Sequence, residues 1–172
     1  MELVLVRHAP AESRDPRRWP DDSKRPLTRD GREVAAAIGR GLKALGVRPT
    51  RALTSPAVRC RDTAKITLEA LGADLSVEPW EELTYSVGPD RLMERIAREP
   101  ATPAGPHILF GHEPSLGRFA SLLVFGEAVA TVRLKRGGAA AIETPRRPRA
   151  GSGRLQWVVT RRQLVALGGR SR

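Results

Sequence analysis

The chain has 172 residues, one cysteine and a formal net charge of +11, with 40% apolar and 28% charged residues. That length can bury a continuous core without disulfides or metals to brace it, and a lone cysteine excludes an intrachain disulfide framework. No apolar run reaches the length of a membrane span, and the apolar stretch after Met1-Glu2 is too short for a signal-peptide core, so one cytoplasmic domain over residues 1–172 is expected.

Leu3-Val4-Leu5-Val6 is a continuous apolar run that ends abruptly in Arg7-His8. Such a run reads as a short buried strand, and it delivers a cation and an imidazole to the strand's carboxyl end, the edge where open α/β sheets bind ligands. Residues 10–26 are rich in Pro, Asp, Arg and Ser and read as a surface loop. Thr28 is placed as a helix N-cap, with Val34, Ile38, Leu42 and Leu45 following on one face and Gly46 closing the helix. Residues 51–54 form a second strand. Ser55-Pro56 then serve as N-cap and first-turn proline of a helix that runs to Leu71 before Gly72. A third strand is expected at 75–77, and a helix over 89–98 with Leu92, Met93 and Ile96 inward.

Residues 100–106 make a linker, and His107-Ile108-Leu109-Phe110 is another apolar run that ends in a Gly-His pair, Gly111-His112. Helical spacing resumes over 114–125 through Leu116, Phe119, Leu122 and Leu123. Two stretches, 130–134 and 139–143, flank 135–138 as a hairpin would, residues 145–153 read as a mobile loop, and 155–159 supply a further strand. Alternating strands and helices predict a three-layer α/β/α sandwich. The terminal hairpin makes its mostly parallel central sheet a mixed one.

Positive charge is concentrated late. From Val132 to Arg172 there are eleven Lys or Arg against one acidic residue, Glu143. Attraction to anions follows from this, but recognition of nucleic acid does not, because aromatic residues make up only 4% of the chain and are not interleaved with the arginines of 146–149.

The two polar strand tips converge if their strands are neighbours. Ser55-Pro56-Ala57-Val58-Arg59 places Arg59 in the first turn of a helix whose free N–H groups already favour an anion. Two arginines, two imidazoles and a helix N-terminus suit a tetrahedral dianion, and phosphoryl transfer is the chemistry that fits. Taken alone, His8 would be read as a core histidine; the ordered company of Arg7, Arg59 and His112 argues otherwise.

These elements resemble a known family. Arg7-His8-Ala9 is similar to the Arg-His-Gly signature of the histidine phosphatase superfamily, Ser55-Pro-x-x-Arg59 to its second phosphate-binding element, and Gly111-His112-Glu113-Pro114 to its second histidine. Small size, with Arg25-Pro26-Leu27-Thr28, Glu82-Leu83-Thr84 and Leu155-Gln156-Trp157, is most similar to the SixA-type phosphohistidine phosphatases, and the likeness spans residues 2 to about 165. The fold it implies is phosphoglycerate mutase-like. The activity it implies is removal of phosphate from phosphohistidine on a protein, without metal or cofactor. In that mechanism neutral His8 attacks phosphorus to give a phosphohistidine intermediate, while Arg7, Arg59 and His112 hold the equatorial oxygens, with Ser55 in the substrate-binding set. Glu82 stands where larger relatives keep a general acid, and it is catalytic or structural. Ala9 departs from the glycine of the pattern. Its methyl is tolerable at negative φ but would narrow the approach of phosphate to the backbone N–H.

Few residues separate Glu82 from the His107 strand, too few for a substantial lid, which favours a phosphorylated side chain on another protein over an enclosed sugar phosphate. A broad phosphomonoesterase and a non-catalytic phosphate- or polyanion-binding module are the alternatives. Two motifs are set aside. Cys60 lacks the arginine six positions later that a cysteine phosphatase needs, because Ile66 is there, and Gly39-Arg40-Gly41 imitates a dinucleotide fingerprint inside a helix. Three histidines and one cysteine without ligand spacing predict no dedicated metal site, and His107, at the start of its strand, is placed as structural.

Overall fold

β1, Glu2–Arg7, is buried along Leu3 to Val6, and the computed structural model, which describes residues 1–99, 105–129 and 132–169, builds the sheet around it. In chain order there follow α1 (Arg29–Ala44), β2 (Arg51–Thr54), α2 (Val58–Leu71), β3 (Val77–Pro79), α3 (Pro89–Arg98), β4 (His107–Gly111), α4 (Ser115–Phe125), β5 (Ala139–Glu143), β6 (Arg154–Val159) and α5 (Arg161–Leu167). The strand order is β3-β2-β4-β1-β5-β6. The first four are parallel, β5 is antiparallel to β1, and β6 is antiparallel to β5. The sheet is therefore mixed and mostly parallel.

The side-chain alternation of β1 explains the layering. Val4 and Val6 pack with Ile38 and Leu42 of α1, Leu68 of α2 and Leu164 of α5, while Leu3 and Leu5 pack with Leu92 and Ile96 of α3 and Phe119 and Leu123 of α4. A strand buried on both faces needs apolar residues at every position, which is why β1 and β4 are continuous apolar runs. The result is the expected α/β/α sandwich. Gly39 and Gly41 of α1 belong to this packing. A Cβ on Gly39 would strike the Thr67 carbonyl, and one on Gly41 the Leu164 carbonyl, so the pair lets α2 and α5 approach α1 closely.

β1 and β4 lie side by side in register, with Arg7 opposite Gly111. Their chains leave in opposite directions, β1 through α1 to β2 beyond β4, and β4 through α4 to β5 beyond β1. That divergence opens a crevice at their carboxyl ends.

Several sequence expectations are corrected. The third strand lies two residues later than predicted, at Val77–Pro79. The described part of the 130–134 arm, residues 132–134, forms no strand, and 130–131 fall outside the described residues, as do 100–104 of the expected linker. The reason lies in distant parts of the chain: the Leu134 N–H donates to Glu113 Oε1 (2.7 Å) and its carbonyl accepts from Arg7 Nη1 (2.9 Å), so neither is free for a ladder. The antiparallel partners of β5 are instead β1 and β6. The 145–153 loop is tied to α4 at its C-terminal end, where the Gly151 and Gly153 N–H groups donate to the Leu122 and Leu123 carbonyls (3.0 and 2.8 Å). Helix α5 adds an element for which the apolar spacing gives no expectation; a capping box between Thr160 and Gln163 starts it.

Candidate active site

At the carboxyl ends of β1 and β4 the ladder runs on by one bond: the His8 N–H donates to the Gly111 carbonyl at 3.0 Å. The two histidines that follow are consequently neighbours, with ring centroids 5.3 Å apart and planes at 62°. On the other side of β4, the Ser55 N–H donates to the Phe110 carbonyl (2.9 Å), which brings the β2 tip to the same crevice. Ser55 is not the N-cap of α2. That position is Ala57, which offers no side-chain cap, and the Ser55 hydroxyl turns to His112 Nε2 at 2.9 Å. Arg59, second residue of the helix and almost fully buried, points its guanidinium into the crevice.

The tautomers follow from the partners. His8 Nδ1 is 2.8 Å from the Ala9 carbonyl, which can only accept, so Nδ1 carries the proton and Nε2 of the neutral ring holds the free lone pair. Arg59 Nη2, a donor only, faces His112 Nδ1 at 3.4 Å. His112 therefore carries its proton on Nε2 and donates it to Ser55 Oγ. Burial, together with the charges of Arg59, Arg7 and Arg25, pushes His8 down to about 4 against the opposing pull of the Ala9 carbonyl. Burial and the Arg59 charge push His112 down to about 3. Both rings are neutral at physiological pH.

Positive charge surrounds them. Arg7 donates through Nη1 to the Leu134 carbonyl, and Arg59 through Nη1 to the Asp22 carbonyl at 2.7 Å; the Nε atoms of both are buried without a partner among the described residues. Asp22 also pairs its carboxylate with Arg59 Nη2 (3.1 Å) and Arg25 Nε (2.9 Å). Burial works against that carboxylate, but the Arg25 hydrogen bond and the Arg59 charge hold it below the usual range. Preorganised guanidinium groups with uncommitted buried N–H atoms suit an incoming tetrahedral oxyanion.

Ala9 is fully buried and no described non-glycine residue has positive φ, so its methyl is accommodated. Its N–H donates to Thr63 Oγ1 at 3.1 Å, and Thr63 in turn donates to the Arg59 carbonyl at 2.6 Å. That N–H is already committed inside the protein, so the methyl obstructs no phosphate donor.

Glu82 lies in a single 3-10 turn, Glu81–Leu83, just beyond β3, and makes no hydrogen bond or ion pair with His8, Arg7, Arg59 or His112 among the described residues. Its segment does reach the site: the Tyr85 ring stands 6.1 Å from that of His112. His107 sits at the opposite end of β4. Cys60 packs 3.4 Å from His112 Nε2, and burial pushes its thiol up to about 12, which removes it as a nucleophile. Among the described residues no cluster of three or more His, Cys, Asp or Glu could hold a metal ion, and no helix is long and apolar enough to cross a membrane.

Asp22, Arg25 and Glu113 are the site neighbours that sequence reasoning missed as functional. Arg25 lies in the Arg25-Pro26-Leu27-Thr28 motif and Glu113 in the Gly111-His112-Glu113-Pro114 motif, whereas Asp22 lies in the aperiodic 10–26 segment, where no pattern singles it out.

Crevice, paired imidazoles and buried arginines together define a phosphate-handling α/β protein with a histidine at its centre. The model of the histidine phosphatase superfamily (branch 1) matches residues 3–99, and the chain belongs to that superfamily, whose class of activity is phosphatase. It is 32% identical over 157 residues to an uncharacterized protein of Picosynechococcus sp., covering 91% of this chain and 89% of that one. It is 30% identical over 100 residues to GpmB of Cronobacter sakazakii, covering 58% of this chain and only 46% of that longer relative. A solved structure of the protein histidine phosphatase SixA complexed with tungstate superposes with a TM-score of 0.77 at 24% identity, covering 95% of this chain and 99% of that one, and confirms the fold.

Proposed function

We infer that this protein is a SixA-type phosphohistidine phosphatase acting on a phosphorylated partner protein in the cytoplasm. The observation that carries the reading is the 2.8 Å contact of His8 Nδ1 with the Ala9 carbonyl, which leaves Nε2 as the lone pair of a ring kept neutral by burial and cationic neighbours. Nε2 attacks phosphorus in line; the bond from phosphorus to the substrate nitrogen breaks, and its electron pair stays on the departing imidazole, which leaves as a neutral ring once protonated. Water then hydrolyses the phosphohistidine on His8. Arg7 and Arg59 supply charge to the equatorial oxygens, and His112 Nε2–H exchanges Ser55 Oγ for one of them. No metal ion is required, because the two guanidinium groups already provide the positive field.

Tungstate in the SixA structure is an oxyanion of the kind this pocket suits. Between the Glu81–Leu83 turn and β4, the described chain is α3 and its turns, which leaves the crevice open to a protein side chain. Glu82 is kept as proton donor to an alkoxide only, since a leaving imidazole has less need of one.

Brief reaction with a labelled phosphodonor followed by denaturation tests the reading. Acid-labile, base-stable label is expected on the wild-type chain and none on His8→Ala; label that survives the substitution sinks the assignment. Faster turnover of small phosphoesters than of phosphohistidine protein would replace the substrate with a broad phosphomonoester class.

A further inference from the structure

The stretch 132–138 between α4 and β5 is bound to the tip of β1 along its length. Leu134 accepts from Arg7 Nη1 and donates to Glu113 (2.9 and 2.7 Å), the Gly138 carbonyl accepts from the Arg7 N–H (3.0 Å), and the Gly137 N–H donates to the Arg7 and His8 carbonyls (3.2 Å each). Val132 and Leu134 are buried while Arg133, Lys135 and Arg136 are exposed. The backbone bonds hold these three cations at a fixed offset from His8. Arg7, Glu113, Pro114, Arg133, Leu134 and Lys135 line an open cavity of about 690 Å³.

Its charge is unbalanced. Three cations face one carboxylate, and Glu113 Oε1 is already engaged by the Leu134 N–H. Arg133, Lys135 and Arg136 form no ion pair among the described residues. Arg7 belongs to both spaces: its Nη1 is fixed on this stretch and its Nε is buried without a partner among the described residues.

We propose that this cavity is a second anion subsite, joined to the phosphate pocket through Arg7, and that it selects phosphohistidine flanked by carboxylates on an acidic protein segment. The proposal rests on the phosphatase reading above and narrows its substrate. In an extended stretch, Arg133 and Lys135 lie about 7 Å apart, a spacing met by several carboxylates on a peptide and not by one further oxyanion. Among the described residues no aromatic side chain lines the cavity, so it lacks the stacking platform of a single-strand nucleic-acid site.

The test uses two phosphohistidine peptides that differ only in flanking Asp or Asn, with wild-type protein and the R133Q/K135Q/R136Q triple variant. Wild type is expected to favour the Asp peptide about tenfold in kcat/KM, mainly through KM and less at high salt. In the triple variant that ratio falls to about one, while p-nitrophenyl phosphate turnover stays within about twofold. The proposal is overturned if wild type treats the peptides alike, or if the variant slows all three substrates by one factor. It is also overturned if a short single-stranded oligonucleotide inhibits at lower concentration than the unphosphorylated Asp peptide. Should no substrate be turned over, the phosphatase reading fails by itself; fluorescence anisotropy of the labelled unphosphorylated peptides then decides the subsite, supported by Asp-selective binding that the variant loses and overturned by equal binding.

Discussion

Lowering the pH from 7.5 to 5.0 is expected to cost this protein about 4 kcal/mol of folding stability through two imidazoles alone. His8 and His112 are buried, with folded pKa values of about 4 and about 3 against 6.5 for a free histidine. As pH falls below 6.5 the unfolded chain takes up protons that the folded chain refuses, so unfolding becomes easier, and the loss continues until about pH 4 for His8 and about pH 3 for His112. Each pH unit below 6.5 costs about 1.4 kcal/mol per imidazole, which gives about 2 kcal/mol for each by pH 5. His107, also shifted down by burial, adds in the same direction, and Glu113, shifted up by burial, opposes it. Against a total of about 5–15 kcal/mol the loss is large. Urea unfolding at several pH values, extrapolated to water, measures it in wild type and in His112→Asn. The variant should lose about 2 kcal/mol less than wild type between pH 7.5 and 5.0. An equal loss in both proteins, or a wild-type stability that does not fall, would refute the argument.

Two further substitutions separate roles within the site. Ala9→Gly removes a buried methyl and frees the backbone of the unfolded chain, so urea unfolding should show a loss of about 1–2 kcal/mol. Phosphatase turnover should stay within about twofold, because the Ala9 N–H is bound to Thr63 and serves no substrate; a gain of about tenfold or more would mean that the methyl does obstruct phosphate. Glu82→Gln should leave phosphohistidine turnover nearly unchanged and slow an alkyl phosphate about a hundredfold, since a departing alkoxide depends on a proton from the enzyme while the imidazole ring can take its proton from solvent. Equal slowing of both substrates would make Glu82 a positioning residue.

The tips of β1 and β4 were legible because each ends an uninterrupted apolar run in a polar pair, and a run buried on both faces has few other readings. Helix α3 was read with its observed bounds, since Pro89 and the 92–96 spacing mark it. What failed was information held elsewhere in the chain. Val132 and Leu134 alternate with cations as an edge strand would, and their burial is real, but side chains of Arg7 and Glu113, more than a hundred and about twenty residues away, occupy the backbone groups that a ladder needs. Ser55-Pro56 carries the local signature of a cap, yet His112 claims the hydroxyl. The Asp22–Arg25 pair sits in a loop without periodicity, so its approach to Arg59 could not be read. Helix α5 is short, and its capping box was the one available signal.

Stability and chemistry at this crevice draw on the same interactions with opposite sign. A nucleophilic imidazole must be unprotonated, and an oxyanion site must be positive; burial beside Arg7 and Arg59 satisfies both at once, since desolvation and cationic neighbours each disfavour imidazolium. The guanidinium groups meet the same burial, which lowers Arg7 and Arg59 as well, opposed by Glu113 at one and Asp22 at the other. Those two carboxylates offset part of the cost of burying the guanidinium groups, which stay charged throughout. On the proposed reading, a phosphate dianion entering between them would meet the Arg7 Nε and Arg59 Nε groups, which no atom of the described residues has claimed. Substrate binding thus relieves the electrostatic cost that makes the empty site acid-labile, and the folded state should gain stability from any tetrahedral oxyanion that fits.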